Sequence, residues 1–486
     1  MRPIIYRSFE TPFTKAISPW EVVFLGSTFV VLIAALVKPS YYPGADSALF
    51  EYFGKAMLHG QKLYIDEWDT KLPSIYLINE LWQKVFGENY RLHSMAETIV
   101  SAFTAVPLFA LILRKVGVQK WALATLCFAT TYALIPGAMN TCENYATPLI
   151  LGAILATCSG SNALAGLCAA LAATFWIPSC LVLVPIMAYV AGYQKQRTVL
   201  LSFAAALVAY AIALTGLMAV NLPELVGGWV KYVFRDNAVS GSSSSGSPAQ
   251  NLMGSLHFLY SCIYSCILGS GTGIWLSALA VVIRRPRGRL DWFAILWVGS
   301  ALLGAVASGR FYHHYFIPLI APLIFSVFVF ASSKRIASVR WVFAAVALLF
   351  CWKTAMASIT GTQRVTRETR ATAAVARTIN FAVGYGAVIV VEAYAPAIYL
   401  AADALPVNRV GVVNLTDYVQ TDRLRNRKPV LILASGKDAS SGMPGNFIRL
   451  CRRQSISLKD PELKLNLYGS PSIREAALCN QLKDSE

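Results

Sequence analysis

Four short segments hold most of the residues whose types and spacing could do chemistry. The first, Tyr42-Pro43-Gly44-Ala45-Asp46, puts one carboxylate just beyond an apolar run. A carboxylate there can take a proton from an attacking hydroxyl. It can equally accept the free backbone N–H groups of a helix start, and the two roles are compatible. The second segment, Asp66-Glu67-Trp68-Asp69-Thr70-Lys71-Leu72-Pro73, sets three carboxylates and a lysine around one tryptophan. The same composition also suits a solvated turn with an interfacial indole. In the third, Asn140-Thr141-Cys142-Glu143-Asn144, a very short hairpin keeps Glu143 at an apolar boundary, as a functional acid or as a residue that merely ends a helix. The fourth is Ser308-Gly309-Arg310-Phe311-Tyr312-His313-His314-Tyr315. Arginine and histidine crowded at the end of an apolar run suit an anionic ligand such as a phosphate. Zinc needs more ligands than adjacent His313 and His314 can supply together, because neighbouring side chains diverge.

The elements that position these segments are apolar. The 486 residues are 56% hydrophobic and 14% charged, where a soluble domain carries about 25% charge. Mean hydropathy is +0.53. Soluble enzyme, disordered chain and small disulfide scaffold are excluded, and a polytopic membrane protein is expected. A net charge of +17 does not point to nucleic acid: 17 of the 42 Lys and Arg fall in residues 360–486, and the rest cluster between apolar runs. No stripe interleaves basic with aromatic residues as a nucleic-acid groove would. Seven of the ten Cys, including Cys262 and Cys266, lie in apolar runs and behave as small hydrophobes; Cys451 and Cys479 could pair if the tail is extracytoplasmic.

A bilayer helix needs about 20 apolar residues. Runs occur near Trp20–Val37, Met95–Leu113, Trp121–Met139, Tyr145–Cys158, Ala163–Trp176, Pro178–Gly192, Val199–Val220, Phe258–Ile283, Trp292–Ala307, Phe316–Ala331 and Trp341–Ser358, about eleven in all. Ala163–Gly192 could instead be one helix kinked at Pro178, which would reverse everything downstream. Positive charge arbitrates. With eleven spans, the basic clusters at Arg2–Lys15, Arg114–Lys120, Lys195–Arg197, Arg284–Arg289 and Lys334–Arg340 all fall on the side of the N-terminus. That side is then cytoplasmic, and the four segments above lie outside. The first run has no cleavage site after it and reads as a retained helix.

Residues 1–359 therefore read as a transmembrane module with outer loops at 38–93 and 221–257. The second of these contains Ser240–Ser247, a Ser/Gly stretch whose composition predicts mobility. In the first, Ala48, Leu49, Tyr52, Phe53, Ala56 and Met57 recur at helical spacing. A second helix opens at Pro73, carries Ile75, Tyr76, Ile78, Leu81, Trp82, Val85 and Phe86, and closes at Gly87. Both are expected to lie along the membrane surface. Residues 360–486 differ in texture: apolar, β-branched runs at Ala387–Val391 and Pro429–Leu433 predict a small α/β domain outside the membrane.

The stretch from Pro43 to Gly87 resembles the first outer loop of the polyprenyl-phosphate-sugar-dependent glycosyltransferases of the GT-C fold. Its nearest likeness is the bacterial branch that includes protein O-mannosyltransferases, the lipid A aminoarabinose transferase and the rhizobial galacturonosyltransferases. An acidic residue follows the first span (Asp46), then G-x-x-x-Y (Gly60 to Tyr64), then W-D-x-K-x-P (Trp68 to Pro73), while Arg310 to Tyr315 resembles the R-F-x-x-H-Y-F element. The resemblance covers roughly residues 20–330. It implies an inverting glycosyltransferase that moves a monosaccharide from a polyprenyl phosphate to a hydroxyl of an envelope glycan, glycolipid or protein at the outer face of a bacterial inner membrane. Asp46 would be the general base. Lys71, Arg310, His313 or His314, and Tyr315 would hold the lipid phosphate. Glu143 would be a second acid that orients the acceptor or a divalent metal, with Asp69 a further candidate. The aminoarabinose transferase carries Glu immediately before the lysine, where this chain has Thr70. A divalent metal is thus allowed by the sequence and not required by it. The competing class is a lipid or sugar transporter, which would place charged residues or broken helices near the bilayer midplane.

Overall fold

The computed structural model describes residues 18–37, 45–64, 71–134, 140–217, 226–227, 288–306 and 313–331, and in the tail 388–391, 400, 405–406, 431–435, 448–450, 456–457 and 464–469. Nine of the predicted apolar runs become helical elements; those at Phe258–Ile283 and Trp341–Ser358 lie outside the described residues. In chain order the helices are α1 Pro19–Val37, α2 Ala45–Leu58, α3 Ser74–Phe86, α4 Tyr90–Lys115, α5 Trp121–Leu134, α6 Cys142–Cys158, α7 Asn162–Phe175, α8 Leu183–Tyr189, α9 Tyr193–Leu217, α10 Arg289–Val306 and α11 Ile320–Ala331. Two 3₁₀ helices, Ile177–Val182 and His313–Leu319, precede α8 and α11.

Side-chain contacts give the bundle two distinct ends. At one, the Arg114 guanidinium lies 4.7 Å from the Trp20 ring centroid and 5.6 Å from that of Trp121. These residues join the start of α1, the end of α4 and the start of α5, and such cation–π packing lets an arginine sit against apolar surface. At the other end meet the start of α2, the α5–α6 hairpin and the helix at His313. The basic residues Arg114, Lys115 and Lys120 gather at the first end, Asp46 and Glu143 at the second.

The stretch between α7 and α8 reverses direction. Trp176 has extended backbone (φ −141°, ψ 102°), so the helix stops before Pro178 instead of kinking there. At the end of α7, Thr174 accepts a hydrogen bond from Ser74. At the end of α8, Tyr189 hydrogen-bonds Cys158 at the opposite end of α6 and packs its ring 5.1 Å from Phe293. Helices α7 and α8 thus run in opposite senses, the parity on which the eleven-span reading depends.

The two helices of the first loop form where the pattern placed them, and Gly87 closes α3 at φ 59°. Their setting departs from the expectation. Helix α2 is buried on every side: Ala48, Leu49, Phe50, Tyr52 and Phe53 are covered, and so are Ser47, Glu51 and Lys55. It is an interior helix, not one lying on a surface. Helix α3 turns Ser74, Ile75, Tyr76, Asn79 and Gln83 inward and leaves Leu81 and Val85 exposed. In the tail, strands form at Val388–Val391 (β1), Leu405–Pro406 (β2), Leu431–Ser435 (β3), Ile448–Leu450 (β4), Ile456–Ser457 (β5) and Lys464–Gly469 (β6). They make one mixed sheet in the order β2-β1-β3-β6-β4, with β5 also on β6. β1 is parallel to β2 and β3, and β6 is antiparallel to its neighbours. Leu400, between β1 and β2, is buried in the apolar cluster of the bundle.

Helices α2 and α3 touch at Gly54, where an added Cβ would stand 2.7 Å from the backbone of Asn79 and of Glu80. Backbone cannot give way as a flexible side chain can. Gly54→Ala is expected to destabilise the chain by about 1–3 kcal/mol, read as a lower unfolding midpoint in detergent.

Candidate active site

Asp46 lies within the first turn of α2, one residue inside the helix, where its carboxylate meets the positive end of the helix dipole. Its Oδ2 stands 3.7 Å from Nε2 of His314, with 35% of the Asp46 and 18% of the His314 side chain exposed. That separation brings the two groups side by side and is too long for a direct hydrogen bond. The edge of the Tyr315 ring packs on His314 with centroids 4.7 Å apart, and Tyr315 is itself buried. Two segments distant in sequence therefore meet at one partly open point. His313 opens the same 3₁₀ helix. Arg310 and Asp69 lie outside the described residues.

Glu143 sits in the first turn of α6 and is buried, 1% exposed. Asparagines flank it. Asn144 donates to the Glu97 carboxylate on α4 and its carbonyl accepts from the Tyr132 hydroxyl at 2.9 Å. Asn140, at a left-handed φ of 50° that asparagine tolerates better than most residues, exchanges reciprocal amide hydrogen bonds with Asn79 of α3 at 2.7 and 3.1 Å. Its Nδ2 also donates to the carbonyl of Ser47, next to Asp46, at 3.3 Å. Helix α6 packs against the 3₁₀ helix that carries His313 and His314.

Lys71 precedes α3 and is partly exposed. Its carbonyl accepts a 2.6 Å hydrogen bond from the hydroxyl of Tyr64, a fully buried residue at φ 65°. Three residues on, the Ser74 hydroxyl bonds Thr174 of α7 at 2.9 Å and Tyr210 of α9 at 2.7 Å. The Tyr64 ring joins an aromatic row through Tyr76 to Phe53, with centroids 6.4 and 5.0 Å apart, which links the Lys71 loop to α2.

Behind Asp46 lies a polar layer that the sequence reading missed. Glu51 of α2 pairs with His93 Nδ1 of α4 at 3.3 Å, and His93 Nε2 bonds the Gly87 carbonyl at 2.8 Å. Glu51 and Glu97 are near enough to repel each other. One signal was legible: Glu97 falls inside the predicted span Met95–Leu113, where an acid always needs a reason. Glu51 gave none, since an acid on an amphipathic helix ordinarily reads as its solvated face. Among the described residues, no group of three or more His, Cys, Asp or Glu is placed to hold a metal ion.

No protein-family model matches the sequence, and no curated protein matches it. Among solved structures the chain is similar to ArnT from Cupriavidus metallidurans bound to undecaprenyl phosphate, at TM-score 0.58 and 12% identity over 93% of this chain and 98% of that one. It is also similar to the same protein in the apo state, at TM-score 0.54 and 12% identity over 92% and 97%. The chain has the GT-C fold that the loop motifs implied.

Burial holds the Glu51 carboxyl above its ordinary value of 4.5, against the opposing pull of His93. The ionised form is the costly one in the folded chain. Stability tied to this group is complete at acid pH and declines as the pH rises from about 4.5 through the raised value. Glu51→Gln should therefore flatten that decline in a series of unfolding midpoints against pH, whereas His93→Ala should steepen it by stranding a buried carboxylate.

Proposed function

We propose that this chain is an inverting glycosyltransferase that moves a monosaccharide from a polyprenyl-phosphate donor to a hydroxyl of a cell-envelope acceptor, lipopolysaccharide or another glycan. The observation that carries the reading is the contact of Asp46 with His314. It joins the acidic position after the first span to the histidine element, at the end of a GT-C bundle whose solved relative binds undecaprenyl phosphate. In this reading the acceptor hydroxyl attacks the anomeric carbon of the sugar and gives its proton to the Asp46 carboxylate. The bond from that carbon to the phosphate oxygen breaks, and the polyprenyl phosphate leaves with the electron pair, so configuration inverts.

The leaving group is anionic before and after the step and needs cations near it. Lys71, Arg310, His313 and His314 supply them, and Tyr315 fixes the His314 ring. His314 also stands beside Asp46, where its ring borders the carboxylate that awaits the acceptor. Glu143, and Asp69 from the loop before Lys71, orient the acceptor or, with added ligands, a divalent cation; no step above requires one. The donor is membrane-borne, which suits a site at the rim of a bundle. The basic clusters support an N-terminus in the cytoplasm, which puts this rim and the domain at 360–486 on the outer side of a bacterial inner membrane.

Reconstituted in proteoliposomes with a polyprenyl-phosphate sugar, the protein should transfer that sugar to envelope lipid or polysaccharide extracts, and mass spectrometry of the product identifies the acceptor as glycolipid, polysaccharide or protein. Asp46→Asn is expected to cut turnover by about 10²–10⁴, and Lys71→Ala should chiefly raise the KM for the donor. Full turnover by both variants would overturn these roles.

A further inference from the structure

The strongest unexplained feature lies between the two candidate acids. The Asn79–Asn140 amide pair is almost fully covered, 0% and 4% exposed, and makes hydrogen bonds in three directions. One goes to the Ile75 carbonyl within α3, a reciprocal pair joins the two amides, and one reaches the Ser47 carbonyl at the start of α2. A free amide pair inside an apolar bundle costs more than it returns unless most of its donors and acceptors are met. Here that requirement selects one spacing of α2, α3 and the α5–α6 hairpin.

We propose that Asn140, with Asn79 as its partner, is a positioning residue that sets the distance between the Asp46 carboxylate and the Glu143 side of the acceptor site. The proposal rests on the transferase reading above. Asn140 is suited to this by two properties at once. Its left-handed φ of 50° turns the chain immediately ahead of α6, which starts two residues later at Cys142. Its Nδ2 then reaches the carbonyl directly after Asp46. A residue that supplied only the turn, such as glycine, would take the donor from the Asn79 Oδ1 and cut the link to the Ser47 carbonyl, leaving Asn79 with only the Ile75 carbonyl of its own helix.

The same hairpin is pinned from its other side. Asn144 bonds Glu97 of α4 and receives the Tyr132 hydroxyl of α5 on its carbonyl, and the Thr147 hydroxyl closes on the Glu143 carbonyl at 2.7 Å. Glu143 is thus held between two asparagines, one referred to α4 and α5 and the other to α2 and α3. Asn140 refers it to the start of α2, next to Asp46. A misplacement of about 1 Å between reacting groups can cost about a hundredfold in rate, so an amide that fixes this spacing acts on kcat without touching substrate.

The test compares Asn140→Gly and Asn79→Ala with Trp20→Ala, which loosens the bundle at its opposite end by removing the nearer of the two indoles that Arg114 packs on. In proteoliposomes, Asn140→Gly and Asn79→Ala should lower kcat about ten- to a hundredfold with the donor KM within about twofold, while Trp20→Ala keeps kcat. In an Asp46→Asn background, Asn140→Gly should add little, because there is no longer a carboxylate to place. Amide hydrogen exchange over residues 46–50 should speed up in both asparagine variants and not in Trp20→Ala. Unchanged kcat, or losses that multiply fully with Asp46→Asn, would overturn the proposal. If the wild-type protein transfers no sugar, the functional reading fails by itself; unchanged exchange at the start of α2 would then refute the amide latch separately.

Discussion

A polar group inside an apolar bundle has no water to fall back on, so it must find its partner in its own helix's backbone or in another helix. Most of what is specific about the site end of this fold follows from that requirement. Ser74 finds Thr174 and Tyr210, Glu51 finds His93, Glu97 finds Asn144, and Asn79 finds Asn140. Each pair crosses between elements, and together they tie α2 and α3 to α4, α6, α7, α9 and the α5–α6 hairpin. Apolar packing alone would leave these helices free to slide and rotate by small amounts, since one aliphatic contact is much like another. Directional hydrogen bonds between buried amides and carboxylates remove that freedom. They are placed where Asp46, Lys71 and Glu143 need fixed relations.

Much of the architecture was legible because hydropathy is a sum over many residues and tolerates local error. Apolar runs became helices within a few residues of their predicted ends, and the β-branched runs near Ile389 and Ile432 became neighbouring strands. Pro73 and Gly87 marked the ends of α3 because proline fixes its own φ at a helix start, while glycine accepts the positive φ that ends one. The polar layer was not legible. Glu51, Lys55 and Asn79 occupy positions that, on a helix of this period, read as the watered face. Whether a face meets water or another helix depends on a fold-level fact, that α2 is enclosed on all sides, which no window of its own sequence contains. The surface-lying expectation for α2 failed for the same reason.

The break at Trp176 illustrates a different limit. Pro178 announces that an α-helix cannot continue through it, but a kink and a reversal look alike in sequence. Basic residues favoured the reversal through their summed placement, and the contacts of Thr174 with Ser74 and of Tyr189 with Cys158 put the ends of α7 and α8 at opposite ends of the bundle. The consequence reaches Arg289 and His314, more than a hundred residues later. With the reversal, α10 rises from beside Tyr189, and the 3₁₀ helix after it arrives at Asp46. Without it, the histidine element would emerge at the wrong end and meet the arginine–tryptophan stack instead.

Four acids gather near one end, and their surroundings divide them into two kinds. Glu51 and Glu97 are enclosed and already engaged with His93 and Asn144, so neither can reach a substrate without dismantling a helix contact. Asp46 is a third exposed, stands 3.7 Å from the His314 imidazole, and lies at a helix start whose dipole favours its charge. Glu143 stands between these cases, buried yet next to the residues that hold the Asp46 helix. A proton acceptor must be open to its donor, and a positioning group works best when closed off from competing water. The separation of exposed from enclosed carboxylates is therefore the physical ground for giving the proton to Asp46, and for giving the geometry to the layer beneath it.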